Sequence, residues 1–171
     1  MSEIIYQHHQ TPHGELVLGA FDDKLCLCDW RYRKMGPTIG NRLQNQLKAD
    51  FVEGRSDVIQ RTVEQLTEYF NYQRKTFDLP LLPVGSPFQH SVWRALLEIP
   101  FGGTASYRQL AKAIGKPSAI RAVASANGAN ALAILVPCHR IIGSDGSLVG
   151  YAGGLNVKKK LLDLEHDLLM Q

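Results

Sequence analysis

Short apolar runs separated by turn residues open the chain. Residues 4–9, 15–21 and 24–30 each have the length of a strand, with Thr11-Pro12-His13-Gly14 and Asp22-Asp23-Lys24 as the turns between them. An antiparallel three-stranded meander is the simplest arrangement. After Gly36-Pro37 the period lengthens, and a short helix is expected over 38–49. A clearer helix runs from an N-cap at Asp57 to Tyr72. There Val58, Ile59, Val63, Leu66, Tyr69 and Phe70 recur largely at helical intervals and make one face to pack on the meander. Residues 76–82 read as a returning strand, and Leu79-Pro80 through Pro83-Val84-Gly85 as a connection between domains. Two domains are therefore expected, a structural one over 1–85 and a second over 86–171.

The second half begins with well-marked helices. Ser86-Pro87-Phe88-Gln89 combines a Ser N-cap, Pro at the first helical position and a Gln that closes a capping box. Phe88, Val92 and Leu96 form its buried stripe, and Ile99-Pro100-Phe101-Gly102-Gly103 stops it. A second capping box, Ser106-Tyr107-Arg108-Gln109, starts a helix over about 106–114 that turns Leu110, Ala113 and Ile114 inward and ends at Gly115. Pro117 opens another over about 117–127. Two helices joined by a tight glycine-containing turn have the layout of a helix-turn-helix. With Ala119, Ala122, Val123 and Ala126 packed inward, the outer face carries Arg121 flanked by Ala124 and Ser125. A slim helix with one basic residue suits a narrow groove.

The six apolar or small residues Ala131 to Val136 predict a buried strand or packed segment, which Pro137 ends by removing an N–H. Cys138 and His139 follow at once. A thiol beside an imidazole can be deprotonated at neutral pH, although adjacency alone is a weak signal and a buried cysteine is most often inert. Ile141-Ile142 and Leu148-Val149, around Gly143-Ser144-Asp145-Gly146-Ser147, predict a hairpin, and Tyr151-Ala152-Gly153-Gly154 a loop that brings backbone N–H groups close to a flat ligand. The last helix, about 155–169, places Glu165 on the apolar face of Leu161, Leu162, Leu168 and Leu169, where a carboxylate needs a His or Arg partner.

Charge and composition narrow the partners. The net charge of +3 is unevenly spread: residues 1–85 carry ten basic and eleven acidic groups, residues 86–171 nine and five. Arg94, Arg108, Lys112, Lys116, Arg121 and Arg140 face one acid, Glu98, in the stretch 94–140, which favours a polyanion. No apolar run approaches the roughly 18 residues of a membrane span, and the polar start implies a cytoplasmic protein with no membrane partner. Cys26, Cys28 and Cys138 are an odd set, better read as reduced thiols than as a disulfide framework. Cys26 and Cys28 share one face of the third strand. A metal site joining them to His8, His9 or His13 is disfavoured, since no second cysteine pair stands at ligand spacing.

Together these residues closely resemble the O6-alkylguanine-DNA alkyltransferase (methylated-DNA–protein-cysteine methyltransferase) family. The resemblance rests on Pro137-Cys138-His139-Arg140, Ser106-Tyr107, Arg121-Ala122-Val123, Asn130, Tyr151-Ala152-Gly153-Gly154 and Glu165, and it covers residues 86–171. It implies a ribonuclease H-like N-terminal domain and a winged-helix-like C-terminal one. It also implies a monomer that acts on double-stranded DNA without cofactor; certain relatives bind zinc through cysteine and histidine side chains of the N-terminal domain, but the full ligand set has no match in residues 1–85, so no metal is assigned. The alkyl group of O6-alkylguanine, with O4-alkylthymine as a second substrate, would pass to Cys138 once per molecule. Carried over residue by residue, His139 and Glu165 form the relay that activates Cys138. Tyr107 donates to the guanine ring, and Asn130 ties the recognition helix to the Cys138 loop. Arg121, Ala122, Ser125 and Tyr107 meet DNA, and Ile141, Tyr151, Ala152 and Gly153 line the base pocket. Three positions depart from the family pattern: Ala131 where proline commonly follows Asn130, Ile141 for valine, and Ala152 where some members carry a hydroxyl. The rival readings are a non-catalytic helix-turn-helix binder of alkylated DNA, a regulator with a structural Cys-His pair, and a Cys-His acyl-transfer enzyme that turns over repeatedly.

Overall fold

The computed structural model describes residues 2–33 and 35–170. The chain divides into two compact units, Met1–Val84 and Gly85–Gln171; the end residues Met1 and Gln171, like Lys34, lie outside the described set.

In the first unit β1 (Ser2–Thr11), β2 (Gly14–Phe21) and β3 (Lys24–Trp30) form the expected antiparallel meander. Asp22 and Asp23 both take positive φ, 50° and 61°, in the two-residue turn whose twist matches its strands. The next helix, α1 (Gly36–Leu47), stops earlier than 49, because Lys48 turns left-handed at φ 50° and its N–H caps Gln44 O. The chain then extends as β4 (Ala49–Glu53), parallel to β1, in a sheet of order β3-β2-β1-β4. Only Ala49 of β4 is fully buried, so its apolar alternation is too weak to read as a strand. The helix α2 (Asp57–Phe70) packs on β1, β2 and β3. Its cap is Ser56, whose Oγ accepts from Ile59 N at 3.2 Å, with Asp57 the first helical residue, and it ends two residues before Tyr72.

Residues 76–82 do not form a strand. Pro80 and Pro83 lack the N–H groups a ladder needs, leaving one parallel bridge, Leu25 to Leu81, with Leu25 N donating to Pro80 O and Leu82 N to Leu25 O. That bridge meets the outer edge of β3 at Leu25 alone; every residue from Leu25 to Trp30 is buried. Cys26 is among them, and burial pushes its thiol up to about 12. Among the described residues no group of three His, Cys, Asp or Glu side chains is placed to hold a metal ion, and no helix is long and apolar enough to cross a membrane.

The second unit is helical. Both capping boxes are made, on α3 (Pro87–Leu97) and α4 (Tyr107–Ala113). The α4 helix closes with Gly115 at φ +74°, with Gly115 N bonding Lys112 O and Lys116 N bonding Ala111 O. Pro117 does not begin the next helix. It sits second in a β-turn closed by Ala119 N to Lys116 O, the position its fixed φ favours, and α5 (Ile120–Gly128) starts after it. On α5, Val123, Ala126 and Asn127 are buried, whereas Ala122, expected inside, is exposed beside Arg121 and Ser125. Trp93 Nε1 donates to Ala126 O at 2.9 Å and ties α3 to α5.

Ala131–Val136 is wholly buried but built of turns. No hairpin forms over 141–149. Ile141 instead bridges Ala105 in parallel, and Gly143 N closes a tight loop on Ser147 O. The last helix, α6 (Leu155–Leu169), buries Lys158, Leu161, Leu164 and Glu165; Leu169, expected on that face, is 48% exposed. The four-stranded sheet-and-helix unit followed by a helical unit with a helix-turn-helix is the expected α+β fold class.

Candidate functional site

Two tight turns aim Cys138. Leu135 N bonds Ala133 O at 2.8 Å around Ile134, whose φ of 71° is a strained value for a β-branched residue. Cys138 N bonds Val136 O at 2.7 Å around Pro137, at φ −80° and ψ 63°, a relaxed version of the same three-residue turn. Strain of about 1–3 kcal/mol at a residue like Ile134 persists only where the surroundings hold it. Here the buried run Ala131–Val136 does so. A single 3₁₀ turn, Cys138–Arg140, follows and presents three consecutive side chains to the interior.

Asn130 sits just beyond the C-terminal end of α5 and reaches into this loop. Its Nδ2 donates to Val136 O at 2.9 Å and to Cys138 Sγ at 3.2 Å, while its Oδ1 accepts from Leu132 N at 3.0 Å. The amide therefore fixes the turn and offers the sulfur a donor. A donor to sulfur favours thiolate over thiol.

His139 and Glu165 form a fully buried pair, with Nε2 and Oε2 2.6 Å apart. Arg140 completes it: Nε donates to Glu165 Oε1 at 2.8 Å, Nη2 to Oε2 at 3.2 Å, and Nη1 to Ile99 O at 2.7 Å. Gly102 N adds a fourth donor to the carboxylate, at 3.2 Å to Oε1. Gly102 has φ +78°, a conformation that L side chains rarely adopt, and this favours glycine at the donor position. Burial works to raise the Glu165 carboxyl, but bonds and charges from His139 and Arg140 outweigh it and bring it down to about 2. For His139 burial is the largest influence and lowers its pKa, against the pull of Glu165.

The geometry fixes the tautomer. A carboxylate against Nε2 holds the proton on that nitrogen, and Nδ1 keeps its lone pair. Nδ1 is buried without a protein hydrogen-bond partner among the described residues. The cluster is therefore a neutral imidazole with a free basic nitrogen, backed by an anion that is itself neutralised by Arg140.

Tyr107, the first residue of α4, is half-buried; burial raises its phenol, opposed by the neighbouring Asn127 side chain, so it stays a donor. Tyr151, Ala152 and Gly153 are half-buried in the loop before α6, which turns through Gly154 N to Tyr151 O. Ile141 is fully buried directly after the 3₁₀ turn. Arg121, Ala122 and Ser125 lie exposed on α5, with Arg108, Lys112 and Lys116 exposed along α4 and its turn.

The structure thus sets two hydrogen-bonded groups side by side on the 3₁₀ turn, Asn130 with Cys138 and His139 with Glu165 and Arg140, with Arg121, Ala122 and Ser125 on an outer helix face. Two buried residues have no role in the sequence reading. Arg140 enters it as a charge and as the last residue of the Pro137–Arg140 motif, not as the partner of Glu165. Lys158 was passed over, although it stands seven residues before Glu165 and so on the same helical face.

Residues 87–167 match the family model described as the DNA-binding domain of 6-O-methylguanine DNA methyltransferase. The chain is 49% identical, over 96% of its length and 98% of the other's, to a methylated-DNA–protein-cysteine methyltransferase of Methanosarcina barkeri. It is 40% identical to the constitutive one of Bacillus subtilis, over 94% of each. Among solved structures, Mycobacterium tuberculosis OGT in complex with DNA matches with a TM-score of 0.82 and 38% identity, over 96% of this chain and 94% of that one. The chain belongs to the methylated-DNA–protein-cysteine methyltransferase family.

Proposed function

We propose that Cys138 is the acceptor through which this protein repairs O6-alkylguanine in double-stranded DNA by direct transfer of the alkyl group. The observation that carries the assignment is the Asn130–Cys138 contact set beside the buried His139–Glu165–Arg140 cluster. It supplies a donor to the sulfur and a neutral base held in one tautomer. A purely DNA-binding module needs neither beside a single thiol, and a repeatedly acting cysteine hydrolase is set apart by stoichiometry, since it would not stop at one equivalent.

The exposed face of α5 enters the minor groove, where Ala122 and Ser125 let the backbone approach and Arg121 takes the place of the displaced base. Extruding a nucleotide costs a few kcal/mol, less when the alkyl group has already weakened its pairing. The guanine then lies beside Cys138, Ile141 and the Tyr151–Gly153 loop, whose backbone N–H groups address O6. A water relays the Cys138 proton to His139 Nδ1, and Glu165 stabilises the imidazolium. Cys138 Sγ attacks the alkyl carbon; the S–C bond forms as the C–O6 bond breaks, and the electron pair leaves on the base. Tyr107 donates to the ring nitrogen as negative charge grows there. The product thioether has no leaving group for hydrolysis, so each molecule reacts once. O4-alkylthymine presents the same alkyl–oxygen bond and is a second substrate. A reaction that consumes a free thiol on chromosomal DNA places the protein in the reducing cytoplasm, working as a monomer.

The test is single-turnover reaction with duplex DNA carrying one O6-methylguanine, using wild type and Cys138→Ser. Wild type should restore guanine to one equivalent and Cys138→Ser none. Restoration by the serine variant, or continued restoration past one equivalent, would remove Cys138 from this role.

A further inference from the structure

Asn127 and Asn130 stand one turn apart at the end of α5, and only the second has a place in the proposed transfer. Asn130 N bonds Asn127 O at 3.3 Å, so the chain turns once more beyond Gly128 and keeps both side chains on the buried side. Asn130 Nδ2 reaches Cys138 Sγ at 3.2 Å. Residues three apart on a helix have Cβ atoms about 5–6 Å from one another, so the Asn127 amide neighbours the group that touches the sulfur. Asn127 is 5% exposed, and its Oδ1 is buried without a hydrogen-bond partner among the described residues. Buried side-chain oxygens are nearly all satisfied, and one that is not carries a cost that a ligand can remove. The other end of the amide is engaged, since it acts on the Tyr107 phenol as a donor. Asn127 thus neighbours both Tyr107 and Asn130, and its unsatisfied atom can only accept.

The substrate has one kind of donor to offer. An alkyl group on O6 leaves N1 of guanine without a proton, and N3 and N7 are acceptors, so the base donates only through its exocyclic N2 amine. That amine sits on C2, between N1 and N3, and so beside the ring nitrogen that Tyr107 addresses. We infer that Asn127 is a specificity-determining residue whose Oδ1 accepts from N2 of the extruded O6-alkylguanine, so that Tyr107 and Asn127 together read a ring acceptor and the amine next to it. O4-alkylthymine carries a carbonyl oxygen at the matching ring position and gains nothing from this contact. The bond exists only in the complex, so it adds to the preference for guanine without holding the free protein together. The inference rests on transfer to Cys138 and names what that transfer selects.

The test is a cycle of two proteins and two substrates. Full-length wild type and Asn127→Leu, which keeps the shape of the side chain and removes both polar atoms, react under single-turnover conditions with one duplex carrying either O6-methylguanine or O6-methylhypoxanthine, the same lesion without the N2 amine. Methyl on the Cys138 peptide is timed by mass spectrometry, and circular dichroism reports the fold. Wild type should react about tenfold faster with O6-methylguanine, the effect of one neutral hydrogen bond made only in the complex, and in Asn127→Leu this preference should fall to within about twofold of none. Any difference between the two lesions in pairing or extrusion is common to both proteins and cancels in the ratio of preferences. Loss of the contact with Tyr107 slows both substrates alike, so a merely structural role leaves the preference where it was. Equal wild-type rates on the two duplexes, or a guanine preference that Asn127→Leu keeps within about threefold of the wild-type value, would overturn the inference. Should Asn127→Leu not fold, Asn127→Ala removes the same oxygen and runs the same cycle against the same threshold. Failure of methyl transfer from O6-methylguanine to wild-type Cys138 is a separate outcome that counts against the acceptor assignment, since the cycle compares only rates of methylation at that residue.

Discussion

Replacing Glu165 with glutamine keeps the shape of the side chain and removes its charge, and two consequences can be sized. The first concerns stability. The folded carboxyl titrates near 2 instead of its ordinary 4.5, which corresponds to about 3 kcal/mol. Because the folded value is the lower one, that stability is fully present above about pH 5 and is lost as pH falls toward 2. At neutral pH Glu165→Gln should therefore unfold at lower denaturant, by about 3 kcal/mol, since Arg140 is left buried without its anion. Wild type should lose its advantage over the same acid range. The second consequence concerns rate. An imidazolium and a carboxylate with charge centres about 4 Å apart attract by about 4 kcal/mol at an effective dielectric near 20, which is about three powers of ten in rate. Single-turnover transfer from an O6-methylguanine duplex, followed by quench and peptide mass, measures this. A variant less than about tenfold slower, or one whose stability deficit stays constant down to about pH 2, would refute the assignment of Glu165 as the charged partner of His139.

Burial lowers the His139 pKa, so the base stays neutral through its ordinary 6.5. The single-turnover rate should hold level from about pH 7.5 to about 6.5 and decline only below that; a midpoint at or above 6.5 would contradict a buried neutral base. Arg121→Ala should slow repair of duplex DNA by about tenfold or more, yet leave reaction with free O6-benzylguanine within about twofold, because the exposed guanidinium acts on the stack rather than on the pocket. Equal losses on the two substrates would argue against that role. Cys26 is buried with its thiol pushed up to about 12, so native protein at neutral pH should lose one fast-reacting thiol to a small electrophile, and peptide mapping should place it at Cys138. Fast modification of Cys26 would show that β3 opens.

The most legible parts of the sequence were those written in local chemistry. Capping boxes at Ser86 and Ser106 and the left-handed glycine at 115 depend on a few adjacent residues, and they stand where the pattern put them. Glu165 on an apolar face announced a buried partner because a lone carboxylate there is costly. Features decided by distant contacts were not legible. Residues 49–53 became a strand because β1 offered an edge, and 76–82 did not because Pro80 and Pro83 broke the ladder. The run 131–136 has the composition of a strand, yet Asn130 holds it in turns from the side. Ala122 was placed inside by counting small residues, whereas the buried positions of α5 went to Val123, Ala126 and Asn127. Arg140 and Lys158 were hidden for a different reason. Charged residues are expected at the surface, and only the three-dimensional structure shows which groups they bond inside, a carboxylate for Arg140 and a backbone carbonyl for Lys158.

The central claim is that one thiol accepts the alkyl group once. The direct measurement is the mass of the Cys138 peptide after the protein is mixed with an excess of duplex DNA containing O6-methylguanine. One added methyl on Cys138, matched by one guanine restored per protein and no further increase with time, is the predicted result. An unmodified Cys138 peptide alongside restored guanine, or guanine restored beyond one equivalent, would contradict it.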